Sequence, residues 1–90
     1  MELVIEEERI AFLDDKKKRV GEVAFPKIDG VIQITHTFVD ETYRGQGMAG
    51  KLLDALVAEL RKRGEKALPV CSYSVGYFAK HPEELDVVRH

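Results

Sequence analysis

The spacing of the apolar residues changes abruptly at one place in the chain, and that change limits the folds open to it. Up to Val39 apolar side chains tend to alternate; from Ala49 they recur at three and four, at Leu52, Leu53, Leu56, Val57 and Leu60. Between the two patterns lies YRGQGMAG, Tyr43 to Gly50. Arg61, Lys62 and Arg63 followed by Gly64 supply the chemistry of a helix C-terminus, and Lys66 to Cys71 reads as a short strand. Strand, glycine loop, helix, strand is a βαβ unit. The strands ending near Val39 and Cys71 are therefore expected to be parallel neighbours joined by a right-handed crossover.

The preceding segments read as an antiparallel meander. Leu3 and Ile5 differ in parity from Ile10 and Phe12, which calls for a bulge or break between Glu6 and Arg9. Asp29-Gly30 is the dipeptide a type I′ hairpin turn prefers, joining Val20–Ile28 to Val31–Val39. Alternation through the second of these places Ile32, Ile34, His36 and Phe38 on one face. After the C-terminal strand, Ser72 is suited to cap a helix from Tyr73 to Lys80, stopped by Pro82. The tail from Glu83 to His90 is acidic, then apolar, and has no assigned element. The expected fold is α+β in one domain, residues 1–90, with a mixed sheet, the main helix on one face and the short helix on the other.

Composition narrows the function. With 90 residues there is little room for a second core. A net charge of −2 gives no general footprint for nucleic acid, and four basic residues at Lys16–Arg19 beside Asp14, Asp15 and Glu22 read as a solvated turn. No apolar run approaches the roughly 20 residues of a membrane helix, and MELVIEEERI is too acidic for a signal peptide. These features point to the cytoplasm, with no membrane partner. The single cysteine, Cys71, forms no internal disulfide, and His36, His81 and His90 show no metal-ligand spacing. Oligomeric state is left open.

The glycine loop admits two phosphate readings. From Gly45 it approaches G-x-x-x-x-G-K-[ST], but the residue after Lys51 is Leu52, which falls on the apolar helix face and offers magnesium no hydroxyl. From Arg44 it spells R-x-x-G-x-A. Glycines at 45, 47 and 50 let phosphate oxygens approach the backbone where a helix N-terminus carries partial positive charge. That is a pyrophosphate cradle.

The stretch FVDETYRGQGMAGKLLDAL, Phe38 to Leu56, resembles the acetyl-coenzyme A motif of the GNAT superfamily of N-acetyltransferases, whose [QR]-x-x-G-x-[GA] pattern is met by Arg44, Gly47 and Ala49. The segments HTFV, His36 to Val39, and P-x-CSY…YF-x-KHPE, Pro69 to Glu83, resemble a small single-domain branch of that superfamily. The resemblance implies acetyl-coenzyme A as co-substrate and an amine acceptor. It assigns coenzyme contacts to the strand end at Phe38 and Val39 and to Arg44, Gly45, Gln46, Gly47, Met48, Ala49, Gly50 and Lys51. The helices that shape the acceptor pocket in larger members have no counterpart in this chain, which implies a shallow groove for a protein side chain or a polyamine.

Three residues are candidates for the chemistry. Cys71 precedes a helix N-terminus, a position that lowers a thiol pKa and suits a nucleophile forming an acetyl-cysteine; the CSY resemblance points the same way. His36 is its candidate partner, since neutral imidazole accepts a proton near pH 7. The resemblance implies a tyrosine that protonates the leaving thiolate within a Tyr-x-Lys pattern, which this chain meets nearest as Phe78-Ala79-Lys80, with Tyr77 one place earlier; Tyr73, four residues before Tyr77, shares its helix face, and either could reach the thiol. Two functions follow: an acetyltransferase, or a coenzyme A binding or sensing module without turnover.

Overall fold

The computed structural model describes residues 1–90. Six strands lead to the glycine loop: β1 (Glu2–Ile5), β2 (Arg9–Leu13), β3 (Arg19–Ala24), β4 (Lys27–Ile28), β5 (Val31–Ile34) and β6 (His36–Val39). Helix α1 (Met48–Arg63), strand β7 (Ala67–Pro69), helix α2 (Ser72–Lys80) and a 3-10 segment (Pro82–Val87) follow. The strands order as β1-β2-β3-β6 and β4-β5-β7, with β5 and β7 parallel and the other pairings antiparallel. This is the expected α+β fold, but the parallel pair of its βαβ unit is β5 with β7, and the strand that ends at Val39 is not a neighbour of β7.

The hairpin at Asp29-Gly30 forms as expected, with both residues at positive φ (51° and 79°). At Glu6–Arg9 the parity change proves to be a turn between two strands: Ile5 pairs with Ile10, and the Glu6 amide donates to the Arg9 carbonyl at 2.8 Å. The basic residues at Lys17, Lys18 and Arg19 pair with Glu2, Asp40 and Glu22, as a solvated turn should.

The segment expected as one strand, Val31–Val39, is interrupted at Thr35. His36 is in register with Ala24, yet the Thr35 amide also donates to the Ala24 carbonyl, at 3.1 Å. Two residues oppose one, so this is a β-bulge, and side-chain parity inverts across it. Ile32 and Ile34 are buried, whereas His36 and Phe38 are exposed.

Helix α1 buries Met48, Leu52, Leu53, Leu56, Val57 and Leu60 against the sheet. It ends at Gly64 (φ 70°), whose amide donates to Arg61 and Leu60, while the Glu65 amide also returns to Leu60. The short helix departs from expectation. It lies beside α1, with the Tyr77 hydroxyl donating to Asp54 at 2.6 Å, and does not stand alone on the far face. Connectivity explains this. Val88 forms a parallel bridge with Ala67, so β5, β7 and Val88 step outward in one direction, and successive right-handed crossovers put both helices on the same side. The same bridge places the tail, where Val87 and Val88 join the core and Arg61 holds Asp86 through two hydrogen bonds of 2.9 and 2.6 Å.

Candidate active site

Beyond Ile34, β7 leaves its parallel partner. The amides of Val70 and Cys71 both donate to the Ile34 carbonyl, and the chain then turns into α2. Strand β6 continues bonded to β3 alone, so its other edge lies open. The Asp40 amide donates to Val20 at 2.8 Å, which makes Asp40, Phe38 and His36 the residues bonded to β3 and turns the backbone groups of Thr37 and Val39 to the open edge. The expectation that Phe38 offers its backbone there is thus corrected to Thr37. Arg44 ties the loop to this edge, its Nε donating to the Val39 carbonyl at 3.2 Å.

The loop itself is built as a cradle. Gly45 and Gly47 adopt positive φ (84° and 74°), and a Cβ at either would meet no protein atom within 4 Å. Packing does not require these glycines; backbone conformation and open space do. A cavity of about 260 Å³ lies over them, bounded by Val39, Tyr43, Arg44, Gly50 and Tyr73. Such a concavity of amides at a helix N-terminus fits a pyrophosphate. Ala49 lines it as expected, and Lys51 and Gln46 are exposed beside it. Met48 borders it too but is 7% exposed, its sulfur lying 3.0 Å from where a Cβ would stand on Gly21. Its side chain belongs to the core.

The close contact at Gly21 identifies the face toward α1. Val39 is in register with Gly21, so Val39 and Thr37 face α1 while Phe38 and His36 face away. Thr37 therefore meets the cysteine: its Oγ1 lies 3.4 Å from Cys71 Sγ. His36 stacks on Phe38 instead, ring centroids 6.5 Å apart. The proposed pairing of His36 with Cys71 is not formed, and the bulge at Thr35 is the reason.

Cys71 is the N-cap residue of α2 and is partly buried. Burial pushes its thiol up, but hydrogen bonds with Ser74 and Thr37 and from the amides of Ser74 and Tyr73 outweigh it, leaving the thiol below its ordinary value. The two hydroxyls do not contribute alike. Ser74 donates to the Cys71 carbonyl at 2.8 Å and so receives the thiol hydrogen at 3.3 Å. On ionisation Ser74 must leave the Cys71 carbonyl to donate to the sulfur, whereas the Thr37 hydroxyl hydrogen has no competing acceptor. Cys71 lines neither the loop cavity nor the groove beside it.

Tyr77 is buried, and burial with the bond to the Asp54 carboxylate pushes its hydroxyl far above the ordinary range. It joins two helices and is not a free proton donor. Tyr77→Phe is expected to lower stability by about 1 kcal/mol, roughly 4–8 °C in Tm, with coenzyme affinity unchanged. Thermal denaturation and titration of the folded variant check this. Tyr73, 43% exposed, is the tyrosine on the loop cavity, its hydroxyl 3.7 Å from where a Cβ would stand on Gly50.

The largest cavity, about 460 Å³, is at the β1–β2 turn, away from the loop. Glu6 is engaged by Arg9, Glu22 by Arg19 and Glu8 by the Lys27 amide.

The sequence signature of the GCN5-related N-acetyltransferases matches residues 9–87. The chain belongs to this family. A GCN5-like protein of Staphylococcus aureus, solved by NMR in solution, superposes with a TM-score of 0.78 at 29% identity, over 98% of this chain and 87% of that one. A GNAT-family acetyltransferase from Staphylococcus aureus gives 0.63 at 19% identity, covering 82% of this chain and 50% of that one. The BH1408 protein of Bacillus halodurans, in a tetramutant form, gives 0.55 at 20% identity, covering 93% and 62%. The latter two likenesses are of fold alone. No curated protein matches the chain in sequence. The family transfers acetyl groups and uses acetyl-coenzyme A as co-substrate, which agrees with the loop's geometry. No helix is long and apolar enough to cross a membrane, and no group of three or more His, Cys, Asp or Glu side chains is placed to hold a metal ion.

Proposed function

We propose that residues 1–90 act as one catalytic domain, an acetyl-coenzyme A-dependent N-acetyltransferase. The pyrophosphate rests on the amides from Gly45 to Gly50, and the pantetheine arm lies along the open edge of β6, pairing with Thr37 and Val39. The observation that carries this reading is the pair of left-handed glycines with open space above them, beside an unpaired strand edge. The acceptor amine meets an open surface, consistent with a protein side chain or a polyamine in the cytoplasm.

In the covalent route the Cys71 thiolate attacks the thioester carbonyl. The carbon–sulfur bond to the coenzyme breaks, and the departing thiolate takes a proton from solvent. A neutral acceptor amine then attacks the acetyl-cysteine, releasing Cys71 as thiolate and its own proton to water. Thr37 stabilises the thiolate. His36 is assigned no step, because it faces the other side of the sheet.

The second reading, a binding or sensing module, draws support from the same geometry: Tyr77 is engaged by Asp54, and the Cys71 thiol is held by two side chains. Incubation with acetyl-coenzyme A followed by intact mass analysis, with and without a polyamine, separates the two. An acetyl adduct blocked by alkylating Cys71 and discharged by amine supports the covalent enzyme. Amine acetylation without an adduct supports direct attack, and coenzyme binding with neither leaves the module. Magnesium-dependent binding of ATP, with none of coenzyme A, overturns both.

A further inference from the structure

A second cavity, about 220 Å³, lies beside the loop cavity, the two sharing Gly50 and Tyr73 as common wall. It is a groove along α2 and reaches Lys80 and His81 at the far end of that helix, about 12 Å from Ser72 by helical rise. Its lining includes Gly76, in the middle of the helix. Glycine is a poor helix residue relative to alanine, and here neither usual justification holds. Gly76 is not among the positive-φ residues, and a Cβ there would meet no protein atom within 4 Å. The missing side chain leaves the groove open over the helix.

Charge gives the groove a direction. Lys80 forms no ion pair, while His81 is paired with Glu83 at 3.1 Å. The groove therefore runs from a pyrophosphate cradle, past a tyrosine and a bare stretch of helix, to one uncompensated ammonium group. Coenzyme A carries, beyond its pyrophosphate, an adenosine with a phosphate on the ribose 3′ oxygen.

We propose that this groove takes the adenosine 3′-phosphate end of coenzyme A, with Gly76 leaving room for it and Lys80 pairing the 3′-phosphate. The inference rests on the pyrophosphate reading of the loop. It makes Lys80 a specificity residue that distinguishes coenzyme A from its 3′-dephospho form.

Calorimetric titration with coenzyme A and 3′-dephospho-coenzyme A tests it. Wild type is expected to bind coenzyme A about tenfold more tightly than the dephospho form, the worth of one charge-assisted contact. In Lys80→Ala that preference disappears while affinity for the dephospho form is unchanged. Gly76→Leu, with circular dichroism confirming an intact fold, is expected to bind both forms at least about tenfold more weakly by filling the groove. Equal wild-type affinities, a preference surviving in Lys80→Ala, or unaltered binding in folded Gly76→Leu would each overturn the proposal while leaving the loop reading intact. Failure of wild type to bind either form would remove both.

Discussion

Gly47→Val is expected to abolish measurable coenzyme binding in a chain that still folds. The residue sits at φ 74°, where a Cβ is strained but touches nothing in the protein, so the folded state loses only about 1–2 kcal/mol. The ligand loses more. A branched side chain stands where phosphate oxygens approach the amides, and loss of two such charge-assisted bonds corresponds to about a hundredfold or more in affinity. Gly64→Val is the internal control: the same left-handed backbone (φ 70°), equally open space, at the other end of the same helix. It is expected to cost comparable stability and leave coenzyme affinity untouched. Calorimetry on both variants, with denaturation curves alongside, reads the two effects separately. Equal loss of binding in both would attribute the effect to strain and move the pyrophosphate away from Gly47.

The second large effect concerns Cys71. Cys71→Ala is expected to bind acetyl-coenzyme A normally, because binding rests on loop amides, and to lose self-acetylation entirely and transfer by roughly a hundredfold or more. Retained transfer in this variant would exclude the covalent route. In wild type the reactive species is the thiolate, so the acetylation rate should rise with pH and level off above the thiol pKa. The folded thiol is depressed, which places that midpoint below the thiol's ordinary value. Thr37→Val removes the hydroxyl free to donate to the thiolate and should move the midpoint upward; His36→Ala should not, since its ring lies on the opposite face. Ionisation also favours the folded chain, an increment present above about pH 8.5 and lost as pH falls through the folded value.

The open groove has a physical origin in chain connectivity. Because β7 ends at Pro69 and enters α2, β6 keeps an unpaired edge exactly one strand long beside two helix N-termini. The same departure brings Cys71 across to Thr37. Opening the edge and placing the thiol are one structural event.

Much of this was legible from local chemistry. Asp29-Gly30 is a type I′ turn because few other dipeptides accept two positive φ angles, and the leucine spacing from Leu52 to Leu60 fits only a helix with one buried face. Gly45 and Gly47 were readable as a cradle for the same reason: their conformation is a property of the residue itself. The catalytic neighbourhood was not. Whether His36 or Thr37 meets Cys71 depends on one extra residue at Thr35, and that bulge is set by pairing with Ala24, which no pattern within the strand records. Tyr77 and Tyr73 share a helix face in the sequence, but the handedness of two successive crossovers lays α2 against α1, giving one tyrosine to Asp54 and the other to the loop cavity. The sequence by itself determined the elements and the glycine loop, because turn angles and helical periodicity are local; the tertiary structure alone decided which side chains face each other across the cleft, because register and crossover hand are relations between segments distant in the chain.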